Sequence, residues 1–317
     1  MASSTPYLVL LLCLTTFLQA LLTAANYPPP PPPPFELPES EVRERFSKWV
    51  VKYSKHYSCQ QEEEMRFQVF KNNTNAIGQF DQQNPGTVIG RGFQPGGSQT
   101  NSRGGVRMNR FGDLSPTEVL QQFTGLNTTS LNATSPTYLP YHSFKPCCVD
   151  WRSSGAVTGV KNQGTCDSAM ALVAARGGIT SEERYPYAGF QGKCDVDKLL
   201  FDHQASVKGF KAVPPNNEAQ LAIAVAMQPV TAYIDASGFE FQFYSGGIYR
   251  GPCSANVNHA VTIVGYCEGP AEGDKYWIAK NSWSNDWGEQ GYVYLAKDVP
   301  SSTGTCGLAT SPFYPTA

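Results

Sequence analysis

The chain has 317 residues, a formal charge of −2 and 41% hydrophobic content, which suits a globular protein of about two domains with a sizeable core. Near-neutral charge without a clustered Lys/Arg face excludes the electrostatic footprint of a nucleic-acid binder. Nine cysteines behind an export-type N-terminus imply disulfides and an oxidising compartment.

An apolar run at 8–22, ending in Thr23-Ala-Ala25, predicts a signal peptide over 1–25, although its leading segment lacks Lys and Arg. The competing reading, a membrane anchor, is disfavoured by the shortness of the run. Cys13 leaves with the signal. Seven consecutive prolines, 28–34, impose polyproline II, so 26–39 is read as a stiff spacer rather than an SH3-type ligand.

From Ser40 the pattern becomes helical. Phe46, Trp49, Val50 and Tyr53 form an i, i+3, i+4, i+7 stripe. Glu62, Arg66, Phe70, Asn73 and Ile77 then follow at steps that keep all five on one helical face. A Gly/Gln/Ser-rich stretch, 82–105, is predicted to be disordered. After it comes Arg107-Met-Asn109-Arg-Phe111-Gly-Asp113. Residues 127–145 are polar and without period, and two of the three glycosylation sequons (Asn72, Asn127, Asn132) fall there.

The C-terminal half opens with Val149-Asp-Trp-Arg152, Gly155-Ala-Val-Thr158 and Val160-Lys-Asn-Gln163-Gly-Thr-Cys166-Asp-Ser-Ala169-Met170. A helix-prone stretch at 169–175 ends at Gly177-Gly178. Beyond Tyr185-Pro-Tyr187 and Cys194, strands are predicted at 207–213, 230–235, 247–249, 260–266, 276–279 and 291–295, with one helix at 217–227. Among them stand Val257-Asn-His259-Ala-Val and Lys280-Asn281-Ser-Trp283, followed by Trp287-Gly-Glu-Gln-Gly-Tyr292.

These blocks resemble the papain family of cysteine peptidases. Glu62, Arg66, Phe70, Asn73 and Ile77 match the interspersed signature of its inhibitory propeptides, with Asp81 in place of a final Asn. The 107–113 block matches a second propeptide signature that has lost its Gly. The resemblance implies an α+β, papain-like two-domain fold behind a helical propeptide. Its segments would be a propeptide at 40–126, an activation linker at 127–145 and a peptidase domain at 146–317. It implies peptide-bond hydrolysis without a cofactor, with a polypeptide substrate, the chain's own propeptide lying in the cleft, and a monomer of the secretory pathway that ends outside the cell or in a vacuole or lysosome.

The implied chemistry joins a Cys thiolate to an imidazole, an Asn that orients the ring, and a Gln that helps hold the oxyanion. The matching residues are His259, Asn281 and Gln163. Ser284 departs from the Gly expected after the first Trp of that block. The family's run is Gln-Gly-x-Cys-Gly-Ser-Cys-Trp, so Ala169 stands where the nucleophile belongs and Met170 where the Trp belongs. His259 follows Ala169 by 90 positions, against roughly 130–150 in the family, so about 40–60 residues are absent. An internal deletion near 166–177 accounts for both losses at once and truncates the left, helical domain, leaving the right, β-barrel-like one.

The resemblance pairs Cys253 with Cys306. It leaves Cys166 and Cys194 without their usual partners and assigns nothing to Cys147, Cys148 and Cys267. It also puts Tyr233 in the wall of the S2 pocket. Three functional readings follow: a cysteine endopeptidase zymogen by descent, inactive through Ala169 unless Cys166 takes the role; a non-catalytic homologue whose propeptide binds intact papain-like peptidases; and an aberrantly spliced product.

Overall fold

The computed structural model describes residues 34–84, 104–124, 136–139, 147–163, 178–187, 195, 205–269 and 273–316. The signal peptide, most of the proline run, Cys166, Ala169, Met170 and Cys194 lie outside the described residues.

Two helices open the described chain, α1 (Glu39–Lys52) and α2 (Gln60–Gln83). The predicted stripe is the buried face of α1. Val42, Phe46 and Trp49 meet Phe67 and Phe70 of α2 in a small aromatic core, with Val50 and Tyr53 at its margin. Phe46 lies 5.2 Å from Phe70 between ring centroids, edge to face, a geometry that adds about 1 kcal/mol beyond area burial. Two polar members of the α2 face, Asn73 and Arg66, point into the turn that follows, while Glu62 accepts from Ser58 ahead of the helix. Asn73 is buried, and its Nδ2 donates to the carbonyls of Gly112 (2.9 Å) and Leu114 (3.0 Å). Arg66 donates to the carbonyl of Asp113 and pairs with Glu118 at 2.6 Å. Helical spacing therefore lines up the side chains that hold a non-helical segment. Gly112 is needed there: a Cβ would stand 2.6 Å from Met108 Sδ and 3.0 Å from the Trp49 ring.

That segment begins with β1 (Gly105–Val106) and ends in α3 (Pro116–Phe123). The start of α3 is written in Ser115-Pro-Thr-Glu118, where side chain and backbone of Ser115 and Glu118 satisfy each other in a capping box. The sequence reading passed over this helix and that signal.

The rest is built on an eight-stranded sheet with short helices. Its strands are β2 (Val149–Asp150), β5 (Gly209–Ala212), β6 (Val230–Ile234), β8 (Ile248–Tyr249), β9 (His259–Glu268), β10 (Lys275–Lys280), β11 (Tyr292–Ala296) and β12 (Phe313–Thr316). The order is β5-β12-β6-β9-β10-β11-β8, with β2 added to β9. Helix α4 (Glu218–Met227) packs beside it, capped by Asn217 Oδ1. Helix α5 (Phe239–Gln242) leads into β7 (Tyr244–Gly246), which pairs with β1.

Most predicted strands stand within a residue or two of their expected places. The span 207–213 is shorter as a strand, and the residues just before it, Ala205–Ser206 (β4), pair with Gly178–Ile179 (β3) in a separate two-stranded sheet. Strand β12 was not anticipated; it is inserted between β5 and β6. Phe111, Leu114 and Val119 belong to the same buried cluster as Phe241, Trp283 and Trp287, so the 105–123 segment and the sheet share a core.

Cys253 and Cys306 are bonded, as the resemblance implied. Cys148 and Cys267 are bonded as well, a pairing left open by sequence. The β2–β9 register sets Val149 opposite Tyr266, which puts Cys148, not Cys147, opposite Cys267. Cys59 and Cys147 are free and exposed.

Candidate active site

Three sequence-predicted residues meet at one end of the sheet. His259 is the first residue of β9, across from Ile234 of β6. Asn281 follows the last residue of β10 and is fixed by its backbone N–H donating to the carbonyl of Gly291 at 2.9 Å. The two side chains meet directly, His259 Nε2 to Asn281 Oδ1, at 2.8 Å. Because Oδ1 also accepts the Ser282 N–H at 2.8 Å, it acts as the acceptor, so Nε2 carries the proton and Nδ1 is the basic nitrogen. Asn281 Nδ2 has no hydrogen-bond partner among the described residues.

The imidazole is 2% exposed and lies 4.9 Å from the ring of Trp283, tilted by 33°. Burial disfavours the imidazolium and pulls the pKa down from 6.5 to about 4, with the Asn281 hydrogen bond opposing part of the effect. Among the described residues no cysteine sulfur is hydrogen-bonded to the ring.

Gln163 is held by β-like contacts to the same loop. Its N–H donates to the Ser282 carbonyl at 2.7 Å, and its own carbonyl accepts the Tyr187 hydroxyl at 2.7 Å. The Ser282 hydroxyl donates to Gln163 Oε1. That bond leaves Nε2, the donor expected to face an oxyanion, turned toward the carbonyl of Phe123 at 3.2 Å. Trp283 Nε1 donates to the same carbonyl at 3.1 Å. The end of α3 therefore presents a peptide carbonyl to the donors of the site.

Further contacts fasten the 105–123 segment. Asn109 Nδ2 donates to the Gln242 carbonyl at 2.7 Å, and Gln242 Nε2 donates to the carbonyls of Phe111 and Leu114. Gln242 was not singled out from sequence, and a lone Gln in an apolar stretch gives no signal. Ser284 has φ of 73°, a left-handed conformation that costs a side chain roughly 1–2 kcal/mol. That explains why Gly is expected there. Tyr233 is only 6% exposed and packs on Phe313 at 5.6 Å, which places its ring in the core packing.

Known proteins resemble this chain in both its N-terminal and its C-terminal part. Residues 167–316 match the model described as "Papain family cysteine protease", and residues 46–119 match "Cathepsin propeptide inhibitor domain (I29)". Fruit bromelain of Ananas comosus is 32% identical, over 88% of this chain and 88% of its own. The senescence-specific cysteine protease SAG12 of Arabidopsis thaliana is 33% identical, over 87% and 90%. Among solved structures, a recombinant stem bromelain precursor aligns with a TM-score of 0.72 at 32% identity, covering 87% of this chain and 99% of that one. The ragweed pollen cysteine protease Amb a 11 in its proform gives 0.72 at 27% identity, over 88% and 94%. Macrodontain-1 of Ananas macrodontes aligns over 216 positions, 98% of its length, yet uses only 54% of this chain. About 45 positions of that relative therefore have no counterpart here. The chain belongs to the papain family of cysteine proteases, as a precursor with a propeptide inhibitor domain ahead of its peptidase domain.

Proposed function

We propose that this chain is a catalytically silent papain-family precursor. In the family's chemistry a thiolate attacks the substrate carbonyl, an imidazolium returns a proton to the leaving amine, and Gln and backbone donors hold the oxyanion. His259 Nδ1 is the atom that would carry the proton, since Nε2 is committed to Asn281. Gln163 Nε2 is the oxyanion donor. The observation that carries the reading is Ala169 in the nucleophile's place, within a chain lacking about 45 positions of a relative. An imidazole with a pKa of about 4 fits a ring that has no thiolate beside it among the described residues.

The remaining assignments follow the same reading. They are a signal at 1–25, a spacer at 26–39, a propeptide at 40–126, a linker at 127–145 and a peptidase domain from 146, shortened near 166–177. The chain enters the secretory pathway and works as a monomer. The test uses the prosegment-free chain with a fluorogenic dipeptide substrate. No thiol-dependent hydrolysis is expected, because losing one triad member typically costs several orders of magnitude. Turnover abolished both by an epoxide thiol inhibitor and by Cys166→Ala would show that Cys166 had become the nucleophile.

One observation favours a second role, as a binder of intact relatives. The propeptide keeps contacts to the region around the candidate site, from the β1–β7 pairing to the Phe123 carbonyl. A 40–126 fragment should inhibit an intact papain-like enzyme at concentrations below about 1 µM, and failure at about 100 µM would remove this role.

A further inference from the structure

The linker is expected to be a featureless connection, yet residues 136–139 sit against the sheet in a defined way. Their exposure alternates: Pro136 and Tyr138 point outward, while Thr137 and Leu139 turn inward. This is the period of an extended strand. Thr137 N–H donates to the Ala212 carbonyl at 3.0 Å. Ala212 ends β5, the outermost strand of the eight-stranded sheet, whose free edge is a template for one more strand. Gln220 then grips Leu139 from both sides. Its Oε1 accepts the Leu139 N–H at 2.8 Å, and its Nε2 donates to the Leu139 carbonyl at 3.3 Å. The Gln220 backbone is itself fixed by the Asn217 cap in the first turn of α4. The Leu139 side chain packs on the main core.

We infer that the edge of β5 and Gln220 of α4 form a strand-docking site whose occupant is the chain's own linker, residues 136–139. Docked there, residues 136–139 are a tetrapeptide protected from processing enzymes within the linker. A cut beyond Leu139 leaves the propeptide fastened at a point remote in sequence from its contacts with the His259 site. The inference goes beyond the functional reading above and holds whether or not the chain hydrolyses peptides.

The test is chymotryptic digestion of the full chain, followed by mass spectrometry. Tyr138 is 74% exposed, so its ring is available to the protease while its backbone is held on both sides. The Tyr138–Leu139 bond should be cut at least about 100-fold more slowly than the same bond in a synthetic 130–146 peptide, because cleavage requires local opening. Gln220→Ala should speed cleavage at least about tenfold, with Gln220→Glu, which keeps the acceptor for Leu139 N–H, in between. Leu139→Ser, compared with its own peptide, removes the apolar anchor without touching α4 and decides the matter should Gln220→Ala fail to fold. Cleavage of the wild-type bond at the peptide's rate would overturn the inference with no variant needed. So would folded variants that are no more sensitive than wild type.

Discussion

Acidification from about pH 7 to pH 4 should destabilise this protein through His259, and the size of the effect follows from its burial. The ring is 2% exposed, and its pKa is about 4 in the fold against 6.5 for an unperturbed imidazole. Between those values the unfolded chain binds the extra proton and the folded one does not, so stability rises with pH across that window. The contribution is intact above about 6.5, falls away as pH drops to about 4, and is constant below. A difference of about 2.5 units corresponds to about 3 kcal/mol, a large share of the 5–15 kcal/mol that typically holds a domain together. Carboxylates titrate in the same range, so the measurement is a difference. Urea unfolding followed by tryptophan fluorescence would be run at pH steps from about 4 to 7.5 on the wild type and on His259→Gln. The variant loses the Asn281 bond at every pH, which is an offset; the pH-dependent gap between the two curves belongs to the imidazole. A gap that stays flat would refute the burial argument. A His259 ring proton titrating above about 8 by NMR would refute more, because only an anion beside the ring would raise it, and a thiolate is the one this family supplies.

Two further outcomes test how the fold is held. Phe111→Ala removes a side chain that is 1% exposed, about 5 Å from both the Phe123 and Trp283 rings; it should cost about 3–5 kcal/mol and loosen the propeptide, read as faster amide exchange across β1 and α3. Replacing Cys253 and Cys306 together with Ser opens a loop spanning 53 residues and should lower stability by about 4 kcal/mol in the chain-entropy account, measured as a drop in the urea midpoint relative to wild type without any reducing agent.

What the sequence determined by itself was mostly local or carried by motif. Phe46 and Trp49 had to face one way, because 3.6 residues per turn leave no other face for them. His259, Asn281 and Gln163 could be picked out because the blocks around them resemble a family, and the structure brings all three together around Ser282 and Trp283. Tertiary structure alone decided the rest. Cys147 and Cys148 are neighbours of identical chemistry, and only the register of β2 on β9 selects the second as the partner of Cys267. Asn73 reads as one more position on a helix, but its amide serves two carbonyls about forty residues away. Gln220 and Gln242 are unremarkable as sequence, because an amide's role depends on which backbone groups the fold leaves unpaired beside it. Propeptide and sheet look like separate domains along the chain. They share a core because Phe111, Phe241 and Trp283, far apart in sequence, can leave water only against one another.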